Sequence, residues 1–514
     1  MAQAIQTFSI SAPGFYGLNT QDSPLDLSAG FALTATNCII DQYGRIGARK
    51  GWSKVNADSG DLGANDVTAI HELIGTDGTS TTLFAGNSKL FKLDGSNAVV
   101  ELTYGGGGTA PTISASNWDV ATLNGKAYFF QTGHDPLVYD PATSTTTYKR
   151  ISEMSGYTGT APQADTVISA YGRLWAANTA SEKVTVYFSD LLNGAVWSTG
   201  TAGSLAVSRV WPSGADEISG IAAHNGFLII FGKSQILVYQ GATTPATMSL
   251  SDTVSGIGCI ARDSIQNTGT DVIFLSNSGV RSFLRTIQEK SAPLRDLSKN
   301  VRFDLASSLA GETLANLKSV YSEKEAFYLL ILPATLQVYC FDTKQSLQDG
   351  ASRVTKWDSI SPTCAKSLRN GDLYIGKNGY IGKYGTYLDD TSSYRFLYYT
   401  NNADLGNPNQ ISILKSITAV VIGGSNQYLT IKWGFDYSGA YQSENIFIPT
   451  QVSYEYGTAE YAVADFTSGI PIKALTSNAS SAGKIVQTGY EATINGTQLS
   501  IQKIEIQAKE GKIG

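Results

Sequence analysis

Val120-Ala-Thr-Leu-Asn-Gly-Lys-Ala-Tyr-Phe-Phe130, followed by Leu137-Val-Tyr-Asp140, decides the fold. A short apolar strand runs into a turn, a strongly aromatic strand follows, and a third strand ends in an aromatic residue and an aspartate. The same order returns in Val167-Ile-Ser-Ala-Tyr-Gly-Arg-Leu-Trp-Ala176 with Val184-Thr-Val-Tyr-Phe-Ser-Asp190. It returns again in Ile218-Ser-Gly-Ile-Ala-Ala-His-Asn-Gly-Phe-Leu-Ile-Ile-Phe231 with Ile236-Leu-Val-Tyr239. Weaker copies centre on Gly78, Gly269, Lys324 and Gly371.

The turn residues 78, 125, 172, 226, 269, 324 and 371 recur at a mean spacing of about 49 residues. That is too long for a hairpin and suits a four-stranded propeller blade of roughly 40–50 residues. A β-sandwich would place turns every ~8–12 residues with no higher period. The expected fold is therefore mainly β: a β-propeller of six or seven blades, with a short helical insertion and an additional β domain built from the terminal segments. The insertion is expected at about 294–319, where Leu297, Val301, Leu305, Leu309 and Leu314 fall at near-helical spacing, Asp296 is placed to cap and Gly311 interrupts.

The ends differ from this pattern. Residues 1–63 read as an N-terminal arm, 64–393 as the propeller and 394–514 as a C-terminal β-sandwich-like domain. In the last of these, Leu429, Ile431, Trp433 and Phe435 alternate with Thr430, Lys432 and Gly434, and Ile504, Ile506 and Ala508 alternate with Lys503, Glu505 and Gln507. Period-2 alternation of this kind gives a sheet with one solvated face.

Composition agrees. Among 514 residues there are 52 glycines, about a tenth of the chain, and only 16% are charged, against a usual ~25%. Helical bundles and coiled coils, which depend on Glu, Lys, Leu and Arg, are excluded. With 27 Tyr, 19 Phe and 42% hydrophobic residues, the chain has enough apolar surface to offset its ordering entropy.

The net charge is −6, and no run of Lys or Arg forms a basic stripe that would hold phosphates by counterion release. A mildly acidic wall instead favours DNA sliding past without capture. Met1 to Ser9 has neither a basic nor an apolar targeting region, and the apolar runs are strand-length, well short of the ~20 residues that cross a bilayer as a helix.

No chemistry-bearing constellation emerges. Cys38, Cys259, Cys340 and Cys364 form no C-x-x-C pair, which suits buried thiols in a reducing compartment. His71, His134 and His224 are dispersed. Phe231-Gly-Lys-Ser234 resembles the end of a phosphate-binding loop, but Phe227 stands where that motif needs glycine. Asp389-Asp390 reads as a pair of solvated turn residues. No catalytic, cofactor-binding or metal-binding residue is assigned, no cofactor is expected, and the chain is not expected to be an enzyme.

Several phrases, in order, carry a family resemblance. Gly17-Leu-Asn-Thr-Gln-Asp-Ser-Pro-Leu-Asp-Leu27, Ala35-Thr-Asn-Cys-Ile-Ile-Asp41 and Gly44-Arg-Ile-Gly-Ala-Arg-Lys-Gly-Trp52 open the chain. Gly172-Arg-Leu-Trp175, Val186-Tyr-Phe-Ser-Asp190, Val196-Trp-Ser198, Gly256-Ile-Gly-Cys259 and Ser276-Asn-Ser-Gly-Val-Arg-Ser282 follow, and Ser500-Ile-Gln-Lys-Ile-Glu-Ile506 with Lys509-Glu-Gly-Lys-Ile513 closes it.

Together they resemble the tail nozzle proteins of short-tailed bacteriophages, also called tail tubular protein B. The resemblance implies a structural virion protein made in the host bacterial cytoplasm. It implies a homo-oligomer, a hexameric ring at the end of the tail tube, that retains the genome and gates DNA ejection. It further implies contacts with other tail proteins, namely the adaptor or tail tube and the fibres or tail tip, and viral DNA passing through without specific binding. There is little room for inserted domains, which puts fibre docking in doubt. The alternative is a tail propeller that recognises or cleaves a host glycan with clustered Trp, Tyr and acids. A propeller scaffold for intracellular protein partners lacks its Trp-Asp blade signature.

Overall fold

The structure, a computed structural model, describes residues 5–113, 117–289, 296–405, 410–450 and 472–513. The seven spaced turns each open one blade. Gly78, Gly125, Gly172, Gly226, Gly269, Lys324 and Gly371 lie between the first and second strands of seven successive sheets, whose first strands are Val67–Ile74, Asp119–Leu123, Ala164–Ala170, Ile218–His224, Gln266–Asn267, Lys318–Ser322 and Ala365–Ser367. Neighbouring first strands contact one another around a closed circle, the seventh meeting the first. The architecture is a seven-bladed β-propeller with these strands around its axis.

Each blade is held to the next by an apolar cluster. Blades 1 and 2 share Leu83, Trp118 and Phe129, blades 2 and 3 share Phe130, Leu174 and Trp197, and blades 3 and 4 share Trp175, Trp211 and Leu237. The aromatic second strands supply this filling because both faces of an inner blade strand are covered, so side chains of either parity pack against a neighbour.

The ring closes with strand Trp52–Lys54, which adds to the outer edge of blade 7 by pairing Trp52 with Tyr384, Ser53 with Lys383 and Lys54 with Gly382. The segment read as an arm thus supplies the last strand of the propeller, and its remaining strands build the second layer of structure.

That second structure is a sandwich continuous with blade 6. Strand Ser352–Trp357 pairs with Gly17–Leu18 and Phe31–Thr36, and the sheet runs on through Tyr394–Thr400, Ile485–Ile494 and Gln427–Phe435 to Gln442–Ile448. The facing sheet contains Ile472–Ser477, Gln410–Gly423, Leu499–Ile513, Ile46–Ala48 and Cys38–Ile40. Strand Ile5–Ser11 joins it, antiparallel to Leu499–Ile513. Leu429, Ile431 and Trp433 from one sheet pack with Leu414, Ile504 and Ile506 from the other.

The helical insertion is shorter than its leucine spacing suggests, and its first residues, 294 and 295, lie outside the described ones. One helix spans Arg302–Leu309, with Val301 at its N-cap. Asp296 does not cap it; the carboxylate accepts hydrogen bonds from Arg302 at 2.6 Å and Ser298 at 3.3 Å. Ser319 belongs to the first strand of blade 6. A further helix, Phe283–Glu289, stands where a fourth strand of blade 5 would lie.

Candidate functional site

The propeller axis carries a group of charges withdrawn from the surface. Arg262 follows the Gly256-Ile-Gly-Cys259 phrase and enters the axis in a single 3-10 turn, Arg262–Ser264, just before the first strand of blade 5. Its guanidinium crosses to the opposite side of the ring. It donates to the Asp165 carbonyl at 2.5 Å and the Asp165 carboxylate at 3.2 Å. It also reaches the backbone carbonyls of Asn117 and Trp118 at 3.3 and 3.4 Å. Asp263 receives Arg262 through both carboxylate oxygens, at 2.6 and 3.0 Å, and is also bonded by Lys318. Arg262 thus ties the start of blade 5 to those of blades 2 and 3, and Asp263 extends the tie to blade 6 through Lys318.

Burial would raise the Asp263 carboxyl, but the Arg262 and Lys318 charges outweigh it and hold it at about 2. The balance is opposite at Asp119, where burial, only partly offset by Arg262, raises the carboxyl. Across the same space, burial lowers Lys366 despite the Asp119 and Glu72 charges. His71 is pushed down to about 3 by burial and by the Lys366 charge, so its ring is neutral; Nε2 is 2.7 Å from the Thr122 hydroxyl. These groups line a cavity of about 420 Å³ at the axis.

Nothing in the local sequence marks Arg262, because the partners it reaches across the axis, Asp165, Trp118 and Asn117, lie 97 to 145 residues away in other blades. The residues singled out from sequence turn out to be dispersed. His71 lies in blade 1, His134 in a turn of blade 2 and His224 in blade 4. The four cysteines are free and buried. Asp389 and Asp390 are more than solvated turn residues: Asp389 pairs with Arg49 and Asp390 with Lys54. Among the described residues, no group of three or more His, Cys, Asp or Glu side chains could hold a metal ion. No helix of the described residues is long and apolar enough to cross a membrane.

The quoted phrases form joints of the fold. Asn37 donates to Asp358 at 2.7 Å and to the Arg395 carbonyl at 2.8 Å, and accepts from Arg49 at 3.0 Å. Arg173 donates to the Ser189 carbonyl at 2.9 Å and the Thr201 hydroxyl at 2.7 Å, fastening blade 3. Gly258 sits where a Cβ would come within 2.4 Å of backbone atoms of residues 232–234, so only glycine permits that approach. All seven tryptophans are buried. The indoles fill cores, leaving none to stack against a sugar at the surface.

The sandwich carries an exposed aromatic pair. Tyr428 and Phe447 sit opposite each other on neighbouring strands with ring centroids 5.0 Å apart. They are 58% and 44% exposed, and Ile472, on the edge strand of the facing sheet, is 67% exposed.

No protein-family profile matches the chain, and no curated protein matches it. Among solved structures it is similar to the extracellular domain of a protein described as a one-component system from B. thetaiotaomicron, at 12% identity and a TM-score of 0.40, over 71% of this chain and 45% of that one. The chain thus spans less than half of that structure. It is also similar to the WD40 β-propeller domain of Doa1, at 9% identity and a TM-score of 0.37, over 65% of this chain and 96% of that one. YCF48 from Cyanidioschyzon merolae is similar at 12% identity and a TM-score of 0.38, over 65% and 98% of the two chains.

Proposed function

We propose that this chain is a tail nozzle subunit of a short-tailed bacteriophage. It assembles with copies of itself into a ring, taken as sixfold from the resemblance, that retains the genome and gates DNA ejection. The subunit is structural, and no catalytic role is assigned to it. It contacts other tail proteins in the virion, and viral DNA passes through the ring without specific binding.

The observation that carries this reading is the exposed aromatic pair on the sandwich. Tyr428 and Phe447, with ring centroids 5.0 Å apart, are too exposed to serve the core of a single copy, and exposed apolar surface of this kind is characteristic of a contact region. Head-to-tail contacts between copies close into rings when their rotation allows. The axis of each propeller supports the same reading from another direction. Arg262 spans it, and a space of about 420 Å³ admits a small molecule, not a duplex. DNA would therefore travel through a passage between subunits. Recognition of a host glycan by stacked indoles has less support, because every tryptophan is buried.

Electron microscopy of the purified protein, alone and with its tail partners, tests the proposal. Sixfold rings with a central passage are expected. A monodisperse monomer under both conditions would overturn it.

A further inference from the structure

We propose that the cup at the propeller axis binds a small neutral polyol, of about monosaccharide size, through hydroxyl groups that bridge Lys366 and Asp119. Both residues line the cavity, and the Asp119 charge acts on Lys366. They nevertheless form no ion pair with each other. Two recessed opposite charges that face a common space without touching leave room for a group between them.

The other charged groups of the cup, and the His71 ring, are already engaged. Arg262 is spent on Asp165, Asp263 and the carbonyls of Asn117 and Trp118. Lys318 is spent on Asp263, and His71 is bonded to Thr122. One Asp119 oxygen accepts the Val167 amide at 2.8 Å, which leaves the other oxygen and the Lys366 ammonium. Gln266 donates to the Ser319 carbonyl at 3.2 Å and keeps its own carbonyl oxygen.

The available chemistry is thus one cationic donor, one carboxylate acceptor and one amide acceptor, beside the Thr166, Tyr321 and Ser367 hydroxyls that also line the cup. A hydroxyl accepts from the ammonium and donates to the carboxylate at the same time. An acetate or phosphate ion would satisfy Lys366 but meet the Asp119 charge, and a cation would meet Lys366. A neutral molecule carrying several hydroxyls avoids both conflicts. The aliphatic side chains of Ile168, Ile221 and Ile265 complete the wall and suit the C–H face of a sugar ring. The cavity of about 420 Å³ lies within the usual range for small-ligand sites, roughly 300–1,000 Å³. The inference stands independently of the oligomeric reading, since the cup is built within one subunit.

Calorimetric titration of the full chain with glucose, galactose, N-acetylglucosamine and glycerol, beside acetate and phosphate at matched ionic strength, tests it. Saturable binding of at least one neutral polyol is expected. Lys366→Met and Asp119→Asn should each weaken it at least tenfold, the loss of a hydrogen bond to a charged group. A crystal of the unaltered protein soaked with the best binder should show it between Lys366 and Asp119, a readout that does not depend on either variant folding. The proposal fails if no polyol binds up to about 100 mM, the weak end of measurable affinity. It fails equally if acetate or phosphate binds in preference, or if the soaked ligand lies outside the cup.

Discussion

Arg49 and Asp389, 340 positions apart in the chain, meet in a two-pronged ion pair with Nη1 to Oδ1 at 2.8 Å and Nη2 to Oδ2 at 2.6 Å. The arginine side chain is fully buried. Its remaining donors reach Asn37 at 3.0 Å, the Lys50 carbonyl at 2.9 Å and Ser359 at 2.7 Å. Its guanidinium also lies 4.1 Å from the centre of the Tyr394 ring. All five N–H groups of the fork are therefore used. The pair sits where strand Trp52–Lys54 enters blade 7 and where the chain leaves that blade for the sandwich.

Removing the guanidinium leaves a largely buried carboxylate without its partner. Arg49→Ala is expected to cost about 3–5 kcal/mol of folding stability. Arg49→Lys should recover only part of that loss, because an ammonium cannot reproduce the planar fork. Urea denaturation of the three proteins gives the comparison, and a lysine variant as stable as the parent would contradict the role assigned to the fork.

Gly51 lies beside this pair. A Cβ there would come within 1.9 Å of the Leu388 carbonyl oxygen and 2.9 Å of the Asp389 amide nitrogen. Gly51→Ala must push the 388–389 backbone away, and overpacking of this kind costs about 1–3 kcal/mol. The predicted lower denaturation midpoint should appear together with weakened Arg49–Asp389 coupling in a double-mutant cycle. Additive effects would show that the backbone shift does not reach the ion pair.

The axial arginine makes a third prediction. Arg262→Met leaves Asp165 and Asp263 without their shared cation and should cost about 3–5 kcal/mol. Asp263 retains Lys318, so Asp263→Asn made on the Arg262→Met background should restore part of the loss. No recovery in thermal or chemical unfolding would mean that the arginine acts mainly by filling space.

The pH dependence follows from His71. Its folded pKa, about 3, lies below the usual 6.5 because burial disfavours the charged ring, as does the Lys366 charge. Above pH 6.5 the ring is neutral in both states and its contribution is fully present. As pH falls from 6.5 toward 3 the unfolded chain takes up a proton that the folded chain refuses. Stability then declines by up to about 1.4 kcal/mol per pH unit from this group. Against the parent, His71→Gln should have a shallower decline between pH 6 and pH 4 in denaturant titrations; parallel profiles would count against the assignment.

The N-terminal strands offer a test of the proposed assembly. Deleting residues 2–45 removes Ile5–Ser11, Gly17–Leu18, Phe31–Thr36 and Cys38–Ile40 from both sheets of the sandwich. The truncated chain should lose tail assembly. Normal infectious particles carrying it would rule out a role for the sandwich in that assembly.

Sequence by itself determined the blades. Apolar alternation fixes which strand faces are covered, and a turn about every 49 residues marks where each sheet begins. Both signals are local, so Gly125 or Gly226 can be placed without knowing what packs around it. The alternation of Leu429, Ile431 and Trp433 was legible for the same reason, and those side chains do face the sandwich core.

Tertiary structure alone decided the number of blades, since Trp52–Lys54 completes the seventh from the other end of the chain. It also decided that the terminal sheet continues blade 6, and that Arg262 spans the axis. An arginine's partners are chosen by which backbones the closed ring brings within hydrogen-bond reach, and no periodicity records that. Nor could the candidate cup be found from residue spacing, because Asp119 and Lys366 become neighbours only when blade 7 closes onto blade 1.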